Sequence, residues 1–222
     1  MFLTKFPINT ARRGARHLLT SQQRMHAAVL AGFPPEDQGA RPLWRVDAGE
    51  QRTDLYIVSE ARPDLTHLVE QAGWPTRPDR TWQSADYAPF LDRLAAGQRW
   101  AFRLTANPVR SIPRGPGARG EVKAHVTAAQ QEQWLIDRTD RLGFRIGIAD
   151  SGVPEVVVKD RRTVRFTRRN AEAGRDVTIV MATYDGALEV TDVDALRAAL
   201  CSGVGRAKAY GCGLMTLAHT SG

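Results

Sequence analysis

The chain has little cysteine, lysine or aromatic content, and it contains no long apolar run. Its two cysteines, Cys201 and Cys212, are too few and wrongly spaced for a zinc site or a disulfide framework. A reducing, cytoplasmic setting and no metal are therefore expected. No stretch approaches the ~20 apolar residues of a membrane span. The opening Met1-Phe-Leu-Thr-Lys-Phe lacks the basic lead and apolar core of a signal peptide, so no membrane partner is expected. Nothing matches the aromatic K/R-G-F/Y-G/A-F-V pattern with which a sheet stacks single-stranded bases. Of 31 basic residues only four are lysine: Lys5, Lys123, Lys159 and Lys208. What is present is arginine, with a net charge of +7. A GC-rich genome inflates Arg and Ala, but guanidinium also forks onto phosphate, and here the basic residues cluster.

At 222 residues the chain can hold one large domain or two small ones. Phe2 to Ile8 alternates like a strand. Residues 19–33 read as a helix, with Thr20 or Ser21 as cap, Met25, Val29 and Phe33 on one face, and Pro34-Pro35 as its stop. Leu43 to Val46 and Leu55 to Val58 read as strands about a turn at Gly49, Asp86 to Leu94 as a short helix, and Arg99 to Thr105 as a strand. The order is β-α-β-β-α-β, the ferredoxin-like pattern. Pro108 to Gly120, rich in Pro, Gly and Arg, reads as a linker or loop. A second set follows: strand-like Glu121 to Val126, a helix over Thr127 to Leu142, and strand-like Val156 to Val158, Val164 to Phe166, Val177 to Tyr184 and Leu188 to Val190. A helix over Asp192 to Leu200 and a closing strand over Leu214 to Ala218 complete it. The expected fold is α+β, two tandem ferredoxin-like (RRM-like) βαββαβ domains over residues 1–107 and 108–222.

Three basic features stand out. Between Lys159 and Arg175 lie seven cations, Lys159, Arg161, Arg162, Arg165, Arg168, Arg169 and Arg175, opposed only by Asp160 and Glu172. The segment reads as a hairpin turning near Asn170-Ala-Glu-Ala-Gly174, of a size to enter a widened groove or follow phosphates. A charge run can equally be a solvated face. Arg12, Arg13, Arg16 and His17 stand ahead of the first expected helix and Arg24 lies within it, where cations oppose the helix dipole unless a polyanion offsets them. Finally, Gly203, Gly205, Gly211 and Gly213 surround Arg206 and Lys208. Such a loop suits a phosphate-bearing partner. It is not a Rossmann fingerprint, since Lys208 stands where a third glycine belongs, nor a Walker A loop, since Lys208 lies between alanines. No nucleotide cofactor is called for. The expected target is structured RNA read by shape and phosphates.

His26 lies at the edge of the first helix's apolar face, beside Arg24. Imidazole titrates near neutral pH and can give or take a proton. RNA cleavage without metal needs a base for the ribose 2′-hydroxyl, an acid for the leaving 5′-oxygen, and cations for the phosphorane. A lone helical histidine is also commonly structural.

The chain resembles the CasE family, the repeat-cleaving endoribonucleases of type I-E CRISPR (Cascade) systems. The resemblance runs through Met1-Phe-Leu-Thr-Lys5, Met25-His26 with Leu30 and Phe33-Pro34, and Leu43-Trp-Arg-Val46. It continues in Phe102-Arg-Leu-Thr-Ala-Asn-Pro108, Gln133-Trp-Leu135 and, most specifically, Gly203-Val-Gly-Arg-Ala-Lys-Ala-Tyr-Gly-Cys-Gly-Leu-Met-Thr-Leu-Ala218. It implies a protein, monomeric when free, that binds a CRISPR-repeat stem-loop. It implies cleavage at the 3′ base of the stem without metal, leaving a 2′,3′-cyclic phosphate and a 5′-hydroxyl. It also implies that the product stays bound as the protein joins the other Cascade subunits. His26 falls on the family's catalytic histidine, Arg206 and Lys208 in its glycine-rich loop, and Lys159 to Arg169 on its groove-binding hairpin. The chain departs from the pattern at Gln23, where some members have a catalytic Tyr, and at Ala31, where some have a Lys. Arg24, Arg16, Lys5 and Lys208 are the candidates for the missing second group.

Overall fold

The computed structural model describes residues 1–36, 41–113, 115, 120–168 and 175–220. The N-terminal sheet holds β1 (Phe2–Ile8), β2 (Leu43–Ala48), β3 (Thr53–Ser59) and β4 (Gln83–Asp86) in the order β2-β3-β1-β4, all antiparallel. Helices α1 (Arg13–Leu19), α2 (Gln22–Leu30) and α3 (Thr66–Ala72) cover one face. The period of two sorts β1: Phe6 and Ile8 turn to the helices and join Met25, Val29 and Leu68 in a dry core. Lys5 points the other way, paired across the ladder with Tyr56.

The C-terminal sheet repeats that order. It contains β5 (Arg99–Ala106), β8 (Phe144–Ile146), β10 (Arg175–Val190) and β11 (Met215–Ala218) in the order β11-β5-β10-β8, with β9 (Val156–Arg168) continuing along the β10 edge that β8 begins. Helices α5 (Ala128–Ile136) and α6 (Val193–Ser202) follow the first and third strands of this pattern. Thr127 closes a capping box with Gln130, and Asp192 caps α6. Both sheets therefore carry the ferredoxin-like order, and the expected fold class is borne out. A short helix, α4 (Ala88–Asp92), joins them, and β6 (Val109–Ile112) and β7 (Glu121–Ala124) form a separate hairpin.

Several elements differ from the sequence reading. Arg99–Ala106 is the central strand of the C-terminal sheet rather than the last strand of the first, and the seam between sheets falls between Asp86 and Arg99 instead of at 107/108. The true fourth strand, Gln83–Asp86, is short, polar and mostly exposed, so no apolar alternation marks it. Glu121–Ala124 belongs to the small hairpin, and the expected linker contributes β6. The arginines at 13 and 16 lie in a helix, not ahead of one. Arg16 and His17 occupy its last turn, where the dipole favours cations. Gly14 hides that helix from propensity, yet it is needed there, because a Cβ would lie 2.2 Å from the Gln71 carbonyl oxygen of α3.

The sheets are joined by a buried arginine. Arg45 on β2 is 2% exposed. It forks onto Asp47 at 2.6 and 2.9 Å and donates to the Arg103 and Leu214 carbonyls at 2.8 and 3.0 Å and to Thr216 Oγ1 at 2.8 Å. Asp47 also meets Arg103 at 3.6 Å, Arg103 forks onto Asp185, and Asp185 meets Lys159 at 3.1 Å. This chain of alternating charge crosses a groove of about 420 Å³ between the two sheets.

Candidate functional site

His26 sits in α2, whose N-terminus is capped by Ser21 through the Arg24 backbone N–H. The ring is half-buried, and Nδ1 accepts a hydrogen bond from Trp44 Nε1 at 3.4 Å. Burial, and then the nearby Arg41 guanidinium, hold its pKa below the ordinary 6.5. At neutral pH the ring is therefore uncharged. Its contribution to folding stability is full above about 6.5 and is lost as pH falls, because the unfolded chain takes up the proton first.

The turn Lys208–Tyr210 packs on both α2 and β2, so the glycine-rich segment reaches the helix that carries His26. Its glycines serve close packing. A Cβ on Gly203 would strike Leu43 at 2.7 Å, and one on Gly205 would press on Trp134 at 3.3 Å. Gly211 has φ +81°, which only glycine adopts freely, and a Cβ there would lie 2.7 Å from the Trp44 ring. Lys208 Nζ donates to the Ser202 carbonyl at 2.5 Å, whereas Arg206 is exposed and has no side-chain partner among the described residues.

The base of the basic hairpin approaches the same place. Gln22 Nε2 on α2 lies 3.8 Å from Met181 Sδ on β10, and Phe166 on β9 lies 4.8 Å from the Tyr210 ring. The hairpin's cations have separate fates. Asp160 has φ 39° at a bulge, where the ladder slips between Met181 and Thr183. The bulge turns Arg161 back onto Gln131 Oε1 at 3.1 Å and onto the Val126 carbonyl. Lys159 is paired with Asp185. Arg162 and Arg165 are exposed, with no hydrogen bond or ion pair among the described residues. Arg168 ends β9, while Arg169 and the expected turn at 170–174 lie outside the described residues.

The other candidates are partly spoken for. Arg12 donates to the Glu70 carbonyl, Arg16 to those of Thr10 and Ala11, and Arg24 to that of His17; Arg13 is exposed and unpaired among the described residues. Carbonyls orient these guanidiniums without cancelling their charge. Lys5 pairs with Asp54 at 3.2 Å on the face of the sheet turned away from α2, which separates it from His26. Two neighbours of His26 escaped the sequence reading. Arg41 and Trp44 flank the start of β2, and only the crossing of α2 over that strand brings them to the ring. Among the described residues no three His, Cys, Asp or Glu side chains stand together as metal ligands, and no helix is long and apolar enough to cross a membrane.

An imidazole held neutral at the meeting of two ferredoxin-like units, below an arginine-bearing hairpin, is an arrangement suited to proton chemistry on a polyanion. The family model described as "CRISPR associated protein" matches residues 1–219, and the chain belongs to that family. It is 30% identical over 221 residues to the CRISPR-associated endoribonuclease Cse3 of Thermus thermophilus, covering 98% of this chain and 100% of that one. The structure of CRISPR endoribonuclease Cse3 bound to 19 nt RNA superposes with a TM-score of 0.76 at 28% identity, over 98% of this chain and 100% of the other. That of Thermus thermophilus Cse3 bound to an RNA representing a pre-cleavage complex gives 0.74 at 28% identity, over 98% of each chain.

Proposed function

We propose that this protein is a CRISPR-repeat endoribonuclease. It binds the stem-loop of the repeat in precursor RNA and cuts at the 3′ base of the stem. The 2′-hydroxyl attacks the adjacent phosphorus, the 5′-oxygen leaves, and the products end in a 2′,3′-cyclic phosphate and a 5′-hydroxyl. His26 moves or holds the proton at the reacting phosphate, and no metal takes part. The product stays bound while the protein joins the other subunits of the Cascade complex in the cytoplasm. The observation that carries this reading is the half-buried His26 ring, bonded to Trp44 where α2 meets the glycine-rich turn, in a chain matched over 98% of its length by an endoribonuclease. The test is cleavage of labelled repeat RNA in EDTA, where a single cut ending in a cyclic phosphate is expected. Cutting that stops in chelator and returns with Mg²⁺ would overturn the metal-free mechanism.

A second reading, a hairpin-capping RNA-binding subunit that does not cut, is favoured by Gln23 and Ala31, which supply neither phenol nor ammonium beside His26. Tight binding of the repeat without any cut would select it.

The hairpin gives a separate prediction. Arg162→Glu with Arg165→Glu should weaken repeat binding at least about tenfold and flatten its salt dependence by about one to two units of slope, as expected when phosphate contacts are lost. The melting temperature should stay put, since neither side chain has a hydrogen bond or ion pair among the described residues. Arg161 is the wrong residue for this test, because its bonds to α5 would be lost as well. An unchanged affinity across a salt titration removes the hairpin from the binding surface.

A further inference from the structure

Trp44 is 1% exposed, and its indole N–H points at Nδ1 of His26 across 3.4 Å. Indole nitrogen donates and never accepts. Nδ1 must therefore be the bare nitrogen of the imidazole, and the neutral ring carries its proton on Nε2. The indole is itself held from the far side. Gly211 presses backbone against its six-membered ring, so closely that a Cβ would sit 2.7 Å from Cζ3. A tryptophan pinned between the glycine-rich segment and the histidine has one orientation in which to donate.

We propose that Trp44 is a positioning residue for His26, fixing the ring's orientation and its neutral Nε2–H form. The inference rests on His26 being the residue that acts on RNA. With that tautomer, His26 meets the phosphate as a hydrogen-bond donor to an oxygen on which negative charge develops. The group that takes the 2′-hydroxyl proton is then a different one. The same contact opposes protonation of the ring, because a proton on Nδ1 would face the indole N–H head to head. Arg41 acts in the same direction. The other elements packed against α2 carry Arg13, Arg16 and His17 on α1, His67 on α3, bonded to the Ala28 carbonyl, and Lys208 and Tyr210 on the turn. No described carboxylate acts on the ring to favour the cation.

The first test needs no substitution. NMR of the histidine ring nitrogens in the RNA-free protein should show His26 with a bare Nδ1 and a protonated Nε2 at neutral pH. A ring protonated on Nδ1 overturns the proposal, whatever His26 does in cleavage. The second test is Trp44→Phe, which keeps an aromatic ring and removes the N–H. One hydrogen bond's worth of free energy predicts a rise in the His26 pKa of about 0.5–1 pH unit. The acid limb of the cleavage rate should move up in pH by the same amount. Cleavage at neutral pH should fall by about two- to tenfold, with repeat affinity unchanged. If neither the ring's titration nor the acid limb moves, Trp44 only fills space and the proposal is wrong. Failure of the underlying reading looks different: His26→Ala would then cut normally, while the ring spectrum of the native protein would still report on Trp44.

Discussion

His26→Ala is expected to lower the rate of repeat cleavage by about 10²–10⁴-fold, the range for a positioned proton-transfer group, while the repeat is held as tightly as before. The separation of the two effects follows from the site's construction. The exposed cations without a side-chain partner among the described residues, Arg162, Arg165, Arg206 and Arg13, lie on other elements than α2, and Arg24 of α2 keeps its charge when His26 is replaced. The histidine is half-buried and uncharged, so its removal deletes no positive charge at neutral pH. Measured side by side, single-turnover rates and equilibrium binding should diverge. Equal losses in both would make His26 a structural residue whose deletion disturbs the packing of Trp44 and the glycine-rich turn.

The second large effect concerns stability. Arg45→Met should destabilise the fold by about 2–4 kcal/mol. Breaking a buried ion pair from one side costs about 3–5 kcal/mol, but Asp47 is 16% exposed and keeps Arg103 at 3.6 Å, which softens the loss. Methionine fills part of the space yet cannot satisfy the Arg103 and Leu214 carbonyls or Thr216. For a chain of this length the shift in melting temperature is on the order of 10 °C. Thermal unfolding followed by circular dichroism reads it directly, and a melting point within a degree of the native protein's would mean that the arginine does not join the sheets.

The fold class is legible in the sequence because both modules carry the same periodic elements, although the pattern alone does not show which module Arg99 to Ala106 belongs to. Arg99 to Ala106 alternates strongly and Gln83 to Asp86 does not, so periodicity alone completes the first pattern with the strand that opens the second. The error left the element order intact. Helix α1 was lost because four of its seven residues are Arg, Gly or His, and the reason for Gly14 is the Gln71 backbone, which no local rule sees. The glycine-rich segment stands out by composition, whereas a lone helical histidine does not, and it is the resemblance to the CasE family that singles out His26. What those glycines touch is not legible in the same way, because Leu43, Trp44 and Trp134 come from other parts of the chain. The cluster of seven hairpin cations looked uniform in sequence. A single bulge at Asp160 divides it, tying Arg161 to Gln131 and the Val126 carbonyl and leaving Arg162 and Arg165 without a hydrogen bond or ion pair among the described residues.

The contact between Gly211 and Trp44 also has a bearing on how the protein is made. A ribosome delivers α2 and β2 early and the glycine-rich segment only after β10 and α6 have been threaded out. Until then the six-membered ring of the indole lacks the Gly211 backbone that packs against it. The packing behind the Trp44 ring is therefore among the last contacts of the fold that synthesis can complete.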